Sequence, residues 1–197
     1  MADTAIKIGP ADLGRHMSLA EFDTAEAVDG NLYELGRGKV IVTDVPGKPH
    51  LAIFAAIRRQ FSIYEAAHPE EIHAILGGGE CKIMVAGLNS ERHPDLAIYK
   101  NPPPEGQVDL WAVWIPELLI EIVSTGSERR DYVEKREEYL QFGVREYWIV
   151  DGSKQEMLVL QRSRGVWVEK TVRPPELYRP VVLSNFEFNL GTVLAAK

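Results

Sequence analysis

Apolar positions along this chain change period several times, and each change marks an element. From His50 to about Ala67 the residues Phe54, Ile57, Phe61 and Tyr64 recur at spacings of three and four, which predicts an amphipathic helix. Residues 31–44 behave differently. NLYEL, the turn Gly36-Arg37-Gly38 and the β-branched KVIVTD together predict a hairpin. Strands are expected over 81–86 and 94–99, flanking a turn near Asn89. The block 115–151 is the most informative. PELLIEIV is a compact apolar run, Ser124–Ser127 breaks it, and ERRDYVEKREEYLQF has helical spacing that ends at Gly143, a suitable C-cap. EYWIVD follows as a buried strand, and Asp151-Gly152 turns the chain into a second hairpin, MLVLQ and VWVEK. Strand–helix–strand order implies a parallel pair with a right-handed crossover. Loops rich in Gly or Pro are expected at 45–49, 77–79 and 101–107.

These elements make the class mixed α/β, with a central sheet, flanking helices and β-hairpins before and after the parallel unit. The 197 residues suit a single domain, with a core over about 20–190 and residues 1–19 as an N-terminal extension. Neither internal repeats nor a long linker interrupts it.

Composition narrows the function by exclusion. No apolar run approaches the roughly 18 residues of a membrane span, and MADTAIKIGP lacks the layout of a signal peptide. One cysteine, Cys81, cannot form an internal disulfide or a Cys-based zinc site, so a reducing cytoplasm is the expected compartment. Twenty-two basic against 29 acidic residues give a net charge of −7, which argues against a protein that simply coats phosphates. A nucleic-acid enzyme stays open, because metal-binding carboxylates lower the formal charge and a bound cation restores it locally. The GGGECK segment lacks Walker spacing, no GxSxG or HExxH occurs, and the five histidines show no metal-ligand spacing. Trp111 and Trp114 read as structural or interface residues rather than a stacking platform for bases.

Some residues fit a bland core poorly. Within 117–123 one face of the strand carries Leu118, Ile120 and Ile122, and the other carries Glu117, Leu119, Glu121 and Val123. Glu121 thus sits between apolar neighbours and needs a metal, a cation or solvent. Asp95 follows Pro94 at the start of the predicted strand PDLAIYK and shares a face with Ala97 and Tyr99. Two oxygen ligands on adjacent strands are what a hard divalent cation requires. On a helical wheel over 128–142, Glu134, Glu137, Glu138 and Gln141 form the solvent face, while Lys135 borders the buried arc. Arg136 lies deeper in that arc, so the wheel does not choose between them. Lys135 can also snorkel or pair with Asp131. Arg129 and Arg130 open the helix, as phosphate contacts or as partners of Glu128 and Asp131.

PDLAIY, PELLIEIVS and RRDYVEKREEYLQFGVREYWIVD resemble the Uma family of endonuclease-like proteins, within the PD-(D/E)XK, restriction-endonuclease-like superfamily. The likeness extends to YELGRG and to Pro49-His50, and covers roughly residues 20–190. It implies a restriction-endonuclease-like fold with Asp95 and Glu121 as metal-binding acids and the Ile122 carbonyl as a further ligand. The superfamily lysine would fall at Val123; the resemblance moves it to Lys135, in preference to Arg136. Glu34 matches another family acid, and His50 is a further candidate, read first as a helix-start residue. The implied reaction is Mg²⁺- or Mn²⁺-dependent hydrolysis of phosphodiester bonds in nucleic acid, with DNA the expected substrate and a homodimer the expected assembly. Two other readings stand beside it: a nuclease-fold module that binds or oligomerises without cutting, and a small-molecule phosphodiesterase.

Overall fold

The computed structural model describes residues 5–43 and 46–196. In chain order the elements are β1 (Lys7–Ile8), α1 (Leu19–Asp23), β2 (Glu26–Ala27), β3 (Leu32–Gly36), β4 (Lys39–Thr43), α2 (Lys48–Ala67), β5 (Ala74–Leu76), β6 (Ile83–Val85), β7 (Ser90–Arg92), β8 (Leu96–Tyr99), β9 (Leu118–Ile122), α3 (Lys135–Phe142), β10 (Glu146–Asp151), β11 (Glu156–Ser163), β12 (Val166–Val172), β13 (Leu177–Tyr178), β14 (Phe188–Asn189) and α4 (Leu190–Leu194). A π-helical turn, Arg130–Glu134, leads directly into α3.

The central sheet has six strands in the order β12-β11-β10-β9-β8-β5. β9 and β10 run parallel, joined by the helical segment, and their other neighbours are antiparallel. Alternation then sorts the side chains. Leu96, Ile98, Leu118, Ile120, Ile122, Trp148 and Val150 face α2, whose Ile53, Ile57, Phe61 and Tyr64 cover them. Ala97, Leu119, Tyr147 and Ile149 face the other way, against Tyr139 of α3 and Ile83 and Val85 of a second, four-stranded sheet. Glu121 lies on this second face, between the two layers. The C-terminal segment closes the α2 side, with Phe186 and Phe188 against Phe61 and the Tyr64 hydroxyl donating to the Ser184 carbonyl at 2.7 Å.

The second sheet runs β4-β3-β7-β6. Its hairpin turns at Arg37 and Gly38, both at positive φ (50° and 78°), the conformation of a two-residue turn matched to strand twist. Asp44 of the expected hairpin and Val45 of the expected loop 45–49 lie outside the described residues, as do residues 1–4 of the expected extension. Residues that do fall in that extension, Ile8 and Met17, pack with Phe22, Tyr33, Leu35 and Val40 in a small core on this sheet.

Three local expectations need correction. Helix α2 begins at Lys48 rather than His50, with Pro49 in its first turn, where a missing N–H costs nothing. The chain does turn at Asn89, but it returns as β7, paired to β6 in the small sheet. β8 belongs to the large sheet, and Pro94, which has no N–H for a ladder, separates the two. β5 was too short to show a period. The Trp114 indole is buried and stacks on Tyr99 at 3.9 Å between ring centres, consistent with a structural role. No helix among the described residues is long and apolar enough to cross a membrane.

Candidate active site

Four chain segments deliver carboxylates to the gap between the sheets. Asp95 precedes β8, and its Oδ2 accepts the Ile122 N–H at 2.7 Å, which fixes it against the end of β9. Glu121, 3% exposed, points from β9 into the gap. The Tyr139 hydroxyl donates to its Oε1 at 2.6 Å, and Lys135 Nζ lies 2.9 Å from Oε2. Glu34 comes from β3 and Asp131 from the π-turn, 3.4 and 3.7 Å from the same ammonium. Lys135 therefore sits at the convergence of three buried acids.

A second cation supports the first. Arg92 of β7 is fully buried; its Nη1 reaches Glu34 at 3.1 Å, and its Nε and Nη2 donate to the two oxygens of Glu138 at 2.6 and 3.0 Å. Glu138 also accepts the Ser90 hydroxyl, and Glu34 the His93 N–H. Ion pairs thus run Glu138–Arg92–Glu34–Lys135–Glu121, linking α3 and the small sheet to β9 of the large one.

The helical wheel misplaced several of these residues. Glu138 is not on a solvent face but fully buried, and Arg136 turns outward to Glu169. The wheel centred its buried arc on Tyr132, Val133, Tyr139 and Leu140, whereas Val133 is 60% exposed and the buried arc is centred nearer Asp131, Lys135 and Tyr139. Lys135, not Arg136, faces the acids. Asp131, Lys135, Glu138 and Tyr139 follow helical spacing, and that stripe was the available signal for the three residues not chosen. Arg92 gave none, because its burial depends on acids distant in sequence.

The charges respond to this crowding. Burial pushes the Glu121 carboxyl up to about 8; Lys135 opposes this, but Asp95, Asp131 and Glu34 reinforce it. Burial acts on Glu34 too, yet Lys135 and Arg92 outweigh it and hold that carboxyl at about 2. Burial works against a charged Lys135, but Glu121, Glu34 and Asp131 raise it well above its ordinary range. Asp131 is raised, chiefly by burial.

A cleft of about 530 Å³ opens onto Glu34, Asp95, Glu121 and Lys135, and Ile122 borders it as well. His50 lines it from α2, with Nε2 3.1 Å from Asp95 Oδ1 and a buried Nδ1 that has no hydrogen-bond partner among the described residues. Arg130 lines it too. Arg129 does not, being 84% exposed and paired with Glu134 at 3.4 Å. The carboxylates that line the cleft, Glu34, Asp95, Glu121 and Asp131, suit a hard divalent cation in type and charge. No three His, Cys, Asp or Glu side chains among the described residues are spaced to hold a metal by themselves, so a backbone oxygen or water would have to complete the shell.

Comparison with curated proteins found no match. Among solved structures, a crystal structure from Anabaena variabilis titled as a "putative nuclease belonging to DUF820" superposes with a TM-score of 0.72. It is 19% identical, over 91% of this chain and 98% of that one, which establishes a shared fold. A family profile described as Uma2, "Putative restriction endonuclease", matches residues 19–191. Spanning both sheets, the connecting helix and every acid of the cleft, that match makes the chain a member of the Uma2 family.

Proposed function

We propose that this protein hydrolyses phosphodiester bonds of nucleic acid, DNA in the first instance, in a reaction that needs Mg²⁺ or Mn²⁺. The observation that carries the reading is Lys135 beside Glu121, with Asp95 fixed on the neighbouring strand at the mouth of one cleft. Asp95, Glu121 and the Ile122 carbonyl would hold the cation, which when bound supplies Lewis-acid polarisation of the phosphate and a more acidic attacking water.

The chain's own residues do the rest. Lys135 stays charged in this setting and offers an ammonium to negative charge that develops on the phosphoryl oxygens. Glu34, held by Arg92 and the His93 N–H, keeps that ammonium in place. The Ile122 N–H fixes Asp95 from one side and His50 from the other. Tyr139 fixes the rotamer of Glu121. The buried setting strengthens each of these contacts relative to water. With a net charge of −7 a single copy would bind DNA weakly and in a salt-sensitive way, and a homodimer would strengthen binding by aligning the sparse basic residues into one groove.

One observation favours a second reading, a binding module that does not cut. Both Glu121 oxygens already have partners, Lys135 and Tyr139, and so do both Asp95 oxygens. The deciding experiment is cleavage of supercoiled and single-stranded DNA with Mg²⁺ or Mn²⁺, comparing the protein with Glu121→Gln. Metal-dependent cleavage that vanishes in the variant supports a nuclease. DNA binding with no cleavage in either supports the module. Activity confined to a chromogenic phosphodiester points to a small-molecule substrate.

A further inference from the structure

We infer that Arg130 forms a phosphate-binding subsite on the wall of the cleft, separate from the carboxylate cluster, which grips the substrate backbone while Lys135 faces the reacting group. This rests on the phosphodiester reading above and adds the residue that supplies affinity.

Arg130 is an anomaly in its surroundings. The cleft it lines holds Glu34, Asp95, Glu121 and Asp131, yet among the described residues Arg130 makes no ion pair and its buried Nε has no hydrogen-bond partner. Its neighbours are all paired: Arg129 with Glu134, Asp131 with Lys135 and Ser127. A buried donor on a permanent cation, left without an acceptor, is unfavourable unless a ligand completes it. A guanidinium presents its donors as a planar fork that matches two phosphate oxygens. Ser124 and Thr125, exposed on the same wall, add hydroxyl donors without adding charge.

Local backbone explains how Arg130 comes to be there. The Lys135 N–H donates to the Arg130 carbonyl, the five-residue bond of a π-turn. In an α-helix, side chains five apart would point about 140° away from each other. The π-turn instead leaves Arg130 and Lys135 both lining the cleft. A ligand held by Arg130 would carry negative charge, because a guanidinium is a permanent cation that offers only donors. With Arg130 and Lys135 lining one cleft, a phosphodiester chain could place one phosphate on Arg130 and another toward Lys135.

The test uses fluorescein-labelled oligonucleotides, single-stranded and duplex, whose binding to full-length Glu121→Gln is followed by anisotropy at several salt concentrations in Mg²⁺. Adding Arg130→Gln should weaken binding about ten-fold and reduce the salt slope by about 1. Arg130→Lys should recover part of the loss, since it restores charge but not the fork. Arg164→Gln, in the exposed turn between β11 and β12, removes the same charge and should change affinity less than about two-fold. In the cutting protein, Arg130→Gln should raise KM more than it lowers kcat. Unchanged affinity and KM in Arg130→Gln would overturn the subsite while leaving the nuclease reading intact. Binding that depends on Arg130 without any metal-dependent cleavage would instead retain the subsite and overturn the nuclease. Absence of oligonucleotide binding in every background overturns both.

Discussion

The Lys135 ammonium lies 2.9 Å from Glu121 Oε2, and it is placed where Glu34 and Asp131 can share it. It therefore already neutralises part of the carboxylate charge that the proposed divalent cation would use. A cation bound as proposed would compete with Lys135 for that charge.

That competition predicts opposite responses of stability and metal affinity. Lys135→Met leaves three buried acids without their cation and should cost about 3–5 kcal/mol. Mn²⁺ should then bind the variant more tightly than the wild type and recover much of the lost Tm, because a ligand that binds only the folded state stabilises it. Thermal melts with increasing Mn²⁺ make the comparison. An equal or smaller metal-induced rise in the variant would show that Lys135 and the metal do not compete.

Arg92 invites a different experiment. It joins Glu34 and Glu138, all three buried, so Arg92→Met alone should destabilise by about 3–5 kcal/mol. Removing Glu138 as well, in Arg92→Met/Glu138→Met, should recover part of that loss, since neither charge is left alone in the core. Urea unfolding of the single and double variants gives the coupling. Additive losses would mean that the two side chains do not support each other.

Most of the architecture was legible in the chain because its signals are local. Alternation placed Leu118, Ile120 and Ile122 on one face and Glu121 on the other, and the 3–4 spacing found α2. The gap between β9 and β10 was long enough to require a helix and a parallel pair. Elements of three residues, such as β5 and β7, carry no measurable period. The site was legible only where an acid sat among apolar neighbours, as Glu121 does, or where family likeness supplied it, as for Glu34. Arg92 was hidden because its partners come from β3 and α3. The wheel failed at Glu138 and Arg136 because it took the apolar Val133 as buried, and Val133 is 60% exposed while the charged Glu138 is buried by its pairing with Arg92.

Acid sensitivity should be traceable to particular carboxyls. Burial would raise Asp151, but Ser153 and Lys154 N–H groups, the Ser153 hydroxyl, the Lys154 ammonium and the Tyr132 hydroxyl hold it at about 2, below its usual 3.8. Glu34 is held at about 2 against 4.5. Both folded-state values lie below the unfolded ones, so the unfolded chain binds more protons as pH falls. Their stabilisation is complete above about 4.5 and disappears toward 2. Asp151→Asn should therefore be less stable than wild type at neutral pH, with a gap that narrows between pH 4 and 2. A gap independent of pH would show that Asp151 acts by shape and not by charge.

The π-turn provides the sharpest test of how the cleft is assembled. Val133 lies within it, is 60% exposed, and takes no part in the ion-pair network. Deleting Val133 removes the extra residue and should leave a continuous α-helix. Lys135, Glu138 and Tyr139 are anchored by Glu121, Arg92 and the Tyr147 ring, so they keep their places. The turn before them must rotate instead, by about 100°, taking Arg130 and Asp131 away from the cleft. Far-UV circular dichroism should show unchanged helix content, while oligonucleotide binding and metal-dependent cleavage fall sharply. Val133→Ala, which keeps the residue count, should leave both intact. A deletion variant that still binds and cuts like wild type would mean that the phase of the turn is irrelevant to function.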